Sequence, residues 1–143
     1  MPAAYNYDMP QRLTVGEIMS RDEIALAEDD TRSDARSCME RGRIRHLPVV
    51  HGQQLVGLVT HSDILAASFS VFGQVSRREE HQIFAQIPVR EVMHDACAAP
   101  KTMRVPDAAR IMLDKQYGCL PVVADDRTLL AIVTEADFLR LAV

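Results

Sequence analysis

The sequence predicts an α+β protein in which one strand–helix–strand–strand–helix (βαββα) unit occurs twice. Three echoes carry that expectation. Arg45-His46-Leu47-Pro48-Val49-Val50 returns as Gly118-Cys119-Leu120-Pro121-Val122-Val123, so Leu47 meets Leu120 at an offset of 73. Leu58-Val59-Thr60-His61-Ser62-Asp63-Ile64-Leu65 returns as Ile132-Val133-Thr134-Glu135-Ala136-Asp137-Phe138-Leu139, so Thr60 meets Thr134 at an offset of 74. Val15-Gly16-Glu17-Ile18-Met19 is echoed by Val89-Arg90-Glu91-Val92-Met93, again at 74. This period is too long for a solenoid unit and too short for an ordinary independent domain. It describes two small modules that pack together to bury enough surface, and clefts between such halves are natural ligand sites.

Each element follows from local pattern. Residues 1–12 read as a loose arm. In the first copy Ile24-Ala25-Leu26-Ala27 is a short extended run that ends in the polar turn Glu28-Asp29-Asp30-Thr31. A helix over Ser33 to Arg41 places Ala35, Cys38 and Met39 on one face, and Gly42 stops it. Strands Leu47–Val50 and Leu55–Thr60 flank a hairpin turn at His51-Gly52-Gln53-Gln54. A second helix starts at Thr60 and carries Ile64, Leu65 and Phe69. In the second copy Ala96 to Ala99 is extended. Pro106 opens a helix bearing Ala109, Met112 and Leu113; a proline in the first helical turn costs nothing, because its missing N–H has no partner there. Leu120–Ala124 and Leu129–Thr134 flank the turn Asp125-Asp126-Arg127, and a last helix begins at Thr134. Between the copies, Ser76-Arg77-Arg78-Glu79 has a capping-box pattern, followed by Ile83, Phe84 and Ile87 at helical spacing and closed by Pro88. The expected organisation is residues 13–68, a connecting helix over 69–88, and residues 89–143.

Composition sets the limits. Aromatics are 5% of the 143 residues and there is no Trp, so the core is aliphatic. A net charge of −4 disfavours a general nucleic-acid binder. DNA binding would need a basic stripe along the Arg77-Arg78 helix. No apolar run approaches the roughly 20 residues that cross a bilayer, and the first residues lack a basic region followed by an apolar one, so no secretion signal is expected. Cys38, Cys97 and Cys119 are an odd, widely spaced set. That fits reduced thiols in a cytoplasmic protein and gives no zinc spacing.

The chemistry-bearing pattern is Thr60-x-x-Asp63 with its echo Thr134-x-x-Asp137. Each is a helix N-terminal capping box. Each is also a plausible ligand site, because it follows a strand and opens a helix whose free N–H groups and positive dipole end face outward. A Thr hydroxyl there donates to ribose or phosphate oxygen, and an Asp one turn in accepts both hydrogens of a ribose diol. The two roles are compatible. His46, His51, His61, His81 and His94 show no metal spacing and default to the surface, and no Walker, Gly-x-Gly-x-x-Gly or Gly-x-Ser-x-Gly motif is present.

With Ile18-Met19, Val92-Met93, the two Leu-Pro-Val-Val blocks, Gly57-Leu58-Val59-Thr60-His61-Ser62-Asp63 and Ala131-Ile132-Val133-Thr134-Glu135-Ala136-Asp137, the span from about Leu13 to Leu141 resembles a tandem pair of CBS domains, the cystathionine-β-synthase-type regulatory module also called a Bateman module. The second copy departs by carrying Ala131 where the family usually has Gly. The resemblance implies two βαββα units packed about a pseudo-twofold axis. It implies adenosine-containing ligands (AMP, ADP, ATP or S-adenosylmethionine) in two related clefts, with no cofactor required. By that analogy Asp63 and Asp137 hold ribose hydroxyls, Thr60 and Thr134 contact ribose or phosphate, and backbone from Ile24 to Ala27 and from Ala96 to Ala99 flanks the base. A homodimer is also expected, because apolar side chains near Ile18, Met19, Val92, Met93, Leu139 and Leu141 would be left partly exposed in a monomer, and the resemblance implies pairing of two modules through these helices. A regulated enzyme or transporter would be a separate protein, since the match covers nearly the whole sequence.

The two copies differ in charge. Arg43-Ile44-Arg45-His46 precedes the first Leu-Pro, and Arg45 and His46 are suited to phosphate; the alternative for Arg43 and Arg45 is plain surface charge. Gln116-Tyr117-Gly118-Cys119 precedes the second, where Tyr117 and Gly118 offer only an aromatic face, a phenol hydroxyl and backbone. The first copy is therefore expected to lead binding. The expected function is a non-enzymatic sensor of an adenosine-containing ligand. The alternative is a ligand-free oligomerisation or scaffolding module. A small enzyme is disfavoured, with one carboxylate per cleft.

Overall fold

The computed structural model describes residues 12–20, 25–42, 44–69 and 77–143. In chain order its elements are α1 (Val15–Ile18), β1 (Leu26–Ala27), α2 (Arg32–Gly42), β2 (His46–His51), β3 (Gln54–Thr60), α3 (His61–Phe69), α4 (Arg77–Ala85), a 3-10 turn (Val89–Glu91), β4 (Ala99–Pro100), α5 (Val105–Lys115), β5 (Cys119–Val123), β6 (Leu129–Thr134) and α6 (Glu135–Arg140). The βαββα order holds in both copies. Each copy forms a three-stranded sheet, β1-β2-β3 and β4-β5-β6, with the hairpin antiparallel and the short leading strand parallel to the hairpin's first strand. Of the sequence-based expectations, the arm up to Gln11, Ile24, Arg43, Ser76 and the side chains of Phe69 and Phe84 lie outside the described residues.

Register repeats as well. Leu47 pairs with Val59 and Val49 with Gly57 in the first sheet; Leu120 pairs with Val133 and Val122 with Ala131 in the second. Both hairpins carry an irregularity at the same place, Val49/Val50 and Val122/Val123. Gly52 turns the first hairpin at φ +64 and Arg127 turns the second at φ +69, so only the first uses a residue free of the left-handed penalty. Val49, Val59, Val122 and Val133 are all fully buried. Burial is not confined to alternate residues. Leu47, Pro48 and Val49 are buried in a row, and so are Cys119 to Val122, so the central strands are covered on both faces.

The helices correct two details. On α5 the buried stripe is Val105, Ala108 and Met112, and Leu113 points to solvent, 78% exposed. On α3 Ile64 is buried while Leu65 is 47% exposed. Both follow from the 100° step between neighbouring helical residues: once Met112 or Ile64 faces the core, the next residue turns toward the rim.

The chain forms two compact units. The first takes Ile24–Ala96; the second joins the segment ending at Glu23 to Cys97–Val143. The short turns of the echo Val15–Met19/Val89–Met93 explain that division. In the second unit Val15 N–H donates to Met103 O (2.8 Å) and Val105 N–H donates to Leu13 O (2.9 Å). In the first unit Val89 N–H donates to Asp30 O (2.7 Å) and Arg32 N–H donates to Ile87 O (2.8 Å). These are the same two bonds at repeat-equivalent positions. The leading turn of each copy thus closes the start of the other copy's helix and buries Val15 or Val89 completely. Each unit has its own aliphatic core. Ile18 and Met19 pack against the second, Val92 and Met93 against the first, all half-buried.

Candidate functional site

The two Thr-x-x-Asp patterns fall where a strand runs directly into a helix. In the first unit Thr60 ends β3 and Asp63 sits in the first turn of α3. Thr60 N–H donates to Asp63 Oδ2 (2.8 Å), Thr60 Oγ1 donates to the same oxygen (2.9 Å), and Asp63 N–H donates back to Thr60 Oγ1 (3.2 Å). This is a capping box, worth about 0.5–2 kcal/mol to the helix. In the second unit Thr134 N–H donates to Asp137 Oδ2 (2.8 Å) and Thr134 Oγ1 donates to it at 3.3 Å.

The remaining bonds separate the two aspartates. Asp137 Oδ1 accepts from Ser20 Oγ (3.1 Å) and from Arg140 Nη1 (2.7 Å), and the Asp137 side chain is only 2% exposed. Asp63 Oδ1 has no hydrogen-bond partner among the described residues, and the Asp63 side chain is 25% exposed. His94 Nε2 stands 3.2 Å from Asp63 Oδ2.

In each unit the β ladder brings the residues before Leu-Pro beside that unit's own Thr-x-x-Asp. His46 lies opposite Thr60 and Cys119 opposite Thr134. Arg45 O accepts the His61 N–H at 2.9 Å, so Arg45 and His46 adjoin the start of α3. Gly118 occupies the position of Arg45 in the second unit. Tyr117 is half-buried and packs against the second core, so its ring is partly used in packing. Ile24, expected beside the base, lies outside the described residues. Ala27, the last residue of β1, is exposed, and Ala96 is half-buried.

Beside this corner the first unit opens a pocket of about 410 Å³, lined by Arg45 and His61 with Arg32, Arg36, Ile64 and Leu65 among others. Thr60, Asp63 and His46 are not in its wall. Arg32 is 5% exposed and donates through Nε and Nη2 to the Ile64 carbonyl at 3.1 and 3.0 Å. Burial, and then the like charge of Arg36, lowers its pKa from the ordinary arginine value. Arg36 pairs with Glu40 at 3.2 Å. Among the described residues no group of three or more His, Cys, Asp and Glu could hold a metal ion, and no helix is long and apolar enough to cross a membrane.

Two residues, one at the strand–helix corner of each unit, escape a reading of the sequence by motif: Ser20 and His94. They are repeat equivalents, 74 positions apart, directly after Met19 and Met93. Ser20 N–H donates to Ile132 O and His94 N–H to Leu58 O, both at 3.0 Å. These bonds carry each side chain to the aspartate of the unit it packs on. The signal was present in the Ile-Met and Val-Met echo, but its partner was not.

Comparison with known proteins identifies the family and the fold. A model of the CBS domain family matches residues 15–70 and 89–143. An AcuB protein of Vibrio cholerae, assigned to acetoin utilization, is 32% identical and superposes over 91% of this chain and 90% of that one, with a TM-score of 0.76. CBSX2 in complex with AMP, a CBS-pair protein from Arabidopsis thaliana, is 25% identical over 91% and 96% of the two chains, with a TM-score of 0.77. The CBS domain pair of protein MJ0100, in complex with 5′-methylthioadenosine and S-adenosyl-L-methionine, is 25% identical over 90% and 94%, with a TM-score of 0.72. Protein MJ1225 of Methanocaldococcus jannaschii is 29% identical over 88% of this chain, and the match spans only 46% of that protein. Two family matches in register with the repeat, and two sheets that superpose on CBS pairs, lead to one conclusion: the chain belongs to the CBS domain family, as a tandem pair.

Proposed function

We infer that the chain is a regulatory module that binds an adenosine-containing small molecule at the start of α3 in the first unit and passes the bound state to a separate enzyme or transporter. The observation that carries this reading is the open Oδ1 of Asp63 at a helix N-terminus. One carboxylate oxygen builds the cap and the other is left to accept a ribose hydroxyl. Arg45 and His46, beside Thr60, are the cations suited to a 5′-phosphate. The AMP complex of CBSX2 and the S-adenosyl-L-methionine and 5′-methylthioadenosine complex of MJ0100 support the ligand class. The ligand acts as regulator, and the reading requires neither a catalytic residue nor a cofactor.

A second copy is the first partner. Leu113 and Leu139 on the second unit are 78% and 69% exposed, Leu65 on the first is 47% exposed, and Leu141 is 36% exposed. Aliphatic side chains so placed on helices, or just past the end of one at Leu141, suit an isologous contact, which is also the feature that favours a scaffolding role. Thermal melting with AMP, ATP and S-adenosylmethionine separates the two readings. A ligand that binds only the folded protein raises Tm with concentration. No shift with any of the three at millimolar concentration supports the ligand-free scaffold and overturns the sensor.

A further inference from the structure

Asp137 is saturated. A carboxylate accepts about four hydrogen bonds, and Asp137 takes four: Thr134 N–H and Oγ1 on Oδ2 (2.8 and 3.3 Å), Ser20 Oγ and Arg140 Nη1 on Oδ1 (3.1 and 2.7 Å). Asp63 Oδ1 has no hydrogen-bond partner among the described residues. The sequence accounts for the difference. Arg140 lies 74 residues after Ala66, and Ser20 lies 74 before His94. Alanine has no donor, so nothing at position 66 can close Asp63 as Arg140 closes Asp137.

We propose that Arg140 is a latch on the second unit's aspartate, so that the module takes one nucleoside ligand per chain, at Asp63, and keeps Asp137 shut. This rests on the reading above, that these aspartates accept ribose hydroxyls. The Arg140 side chain is 71% exposed, so the guanidinium can leave for water without unfolding anything. It still has to be displaced from a carboxylate that is 2% exposed. Breaking one charge-assisted hydrogen bond weakens ligand binding at Asp137 by about ten- to a hundredfold. Ser20 and Thr134 hydroxyls can rotate to donate elsewhere, whereas the guanidinium has no acceptor form. That makes Arg140, rather than Ser20, the group that excludes a diol.

Calorimetric titration with AMP tests this on the full chain. The unmodified protein binds one AMP per chain, and Asp63→Asn abolishes that binding. Arg140→Ala and Arg140→Gln each bind two, and the second equivalent disappears when Asp137→Asn is added. If both Arg140 variants keep a single Asp63-dependent site, or if the unmodified protein already binds two, the latch is overturned and the ligand reading stands. If the unmodified protein binds no AMP, or Asp63→Asn changes nothing, the ligand reading fails first and takes the latch with it. A melting curve for each variant shows that it is folded. Since Arg140 is exposed, the expected change in Tm is within a few degrees.

Discussion

His94 stands with Nε2 3.2 Å from Asp63 Oδ2. Seventy-four positions upstream Ser20 makes the corresponding approach, 3.1 Å from Asp137 Oδ1. A side chain after each Ile-Met or Val-Met turn therefore reaches the aspartate that caps a helix in the unit it packs on. The half-exposed His94 contact is worth under about 1 kcal/mol. His94→Ser, which copies the second unit, should shift urea unfolding by no more than that. A loss above 2 kcal/mol would show that the imidazole holds more of the corner than this contact.

The aspartates should separate stability from binding. Asp137→Ala leaves Ser20, Thr134 and Arg140 without their acceptor and should cost about 2–3 kcal/mol. Asp63→Ala removes a cap and should cost about 1 kcal/mol. Binding of AMP should show the reverse order, with Asp63→Ala the more damaging. Chemical denaturation and calorimetry on the same two variants check both halves, and equal effects in either assay would contradict the asymmetry.

Gly57 lets the Met93–His94 segment approach β3. A Cβ there would lie 2.5 Å from Met93 Sδ, 2.9 Å from Met93 Cγ and 3.2 Å from His94 O. Met93 can swing aside but the His94 carbonyl cannot, because His94 and Leu58 exchange two backbone bonds of 2.9 and 3.0 Å. Gly57→Ala should cost about 1–2 kcal/mol by overpacking. Adding Met93→Ala should recover part of it in a double-mutant cycle. Ala131 at the equivalent position of the second unit carries a Cβ, so the cost reflects this neighbour and not the strand itself. Full additivity of the two changes would show that Met93 is not the obstacle.

The exposed leucines should report on assembly. Leu113→Glu and Leu139→Glu alter side chains that are 78% and 69% exposed, so each should change unfolding by under about 0.5 kcal/mol where the chain is monomeric. Sedimentation should give twice the chain mass of 16.0 kDa for the unmodified protein and about the chain mass for the double variant. A monomer at micromolar concentration before any substitution would count against the homodimer.

Much of this protein is legible in its sequence. Two copies of one βαββα plan, with their hairpin turns and the helices that follow, are legible because helix periodicity and turn chemistry act over a few residues. The Thr-x-x-Asp caps are local for the same reason: an N-cap and its third helical residue always meet. What only the tertiary structure decided is which distant groups share those aspartates. Val15 and Val89 each close the other copy's helix, so Ser20 reaches Asp137 across 117 residues while His94 reaches Asp63. The echo announces both turns but not their destinations, since a sequence repeat does not say which copy a turn will bury itself against. Arg140 is the sharpest case. As a residue in a last helical turn it reads as surface charge, and only the burial of Asp137 and the hydroxyl of Ser20 beside it turn an ordinary i,i+3 pair into the feature that distinguishes one unit from the other.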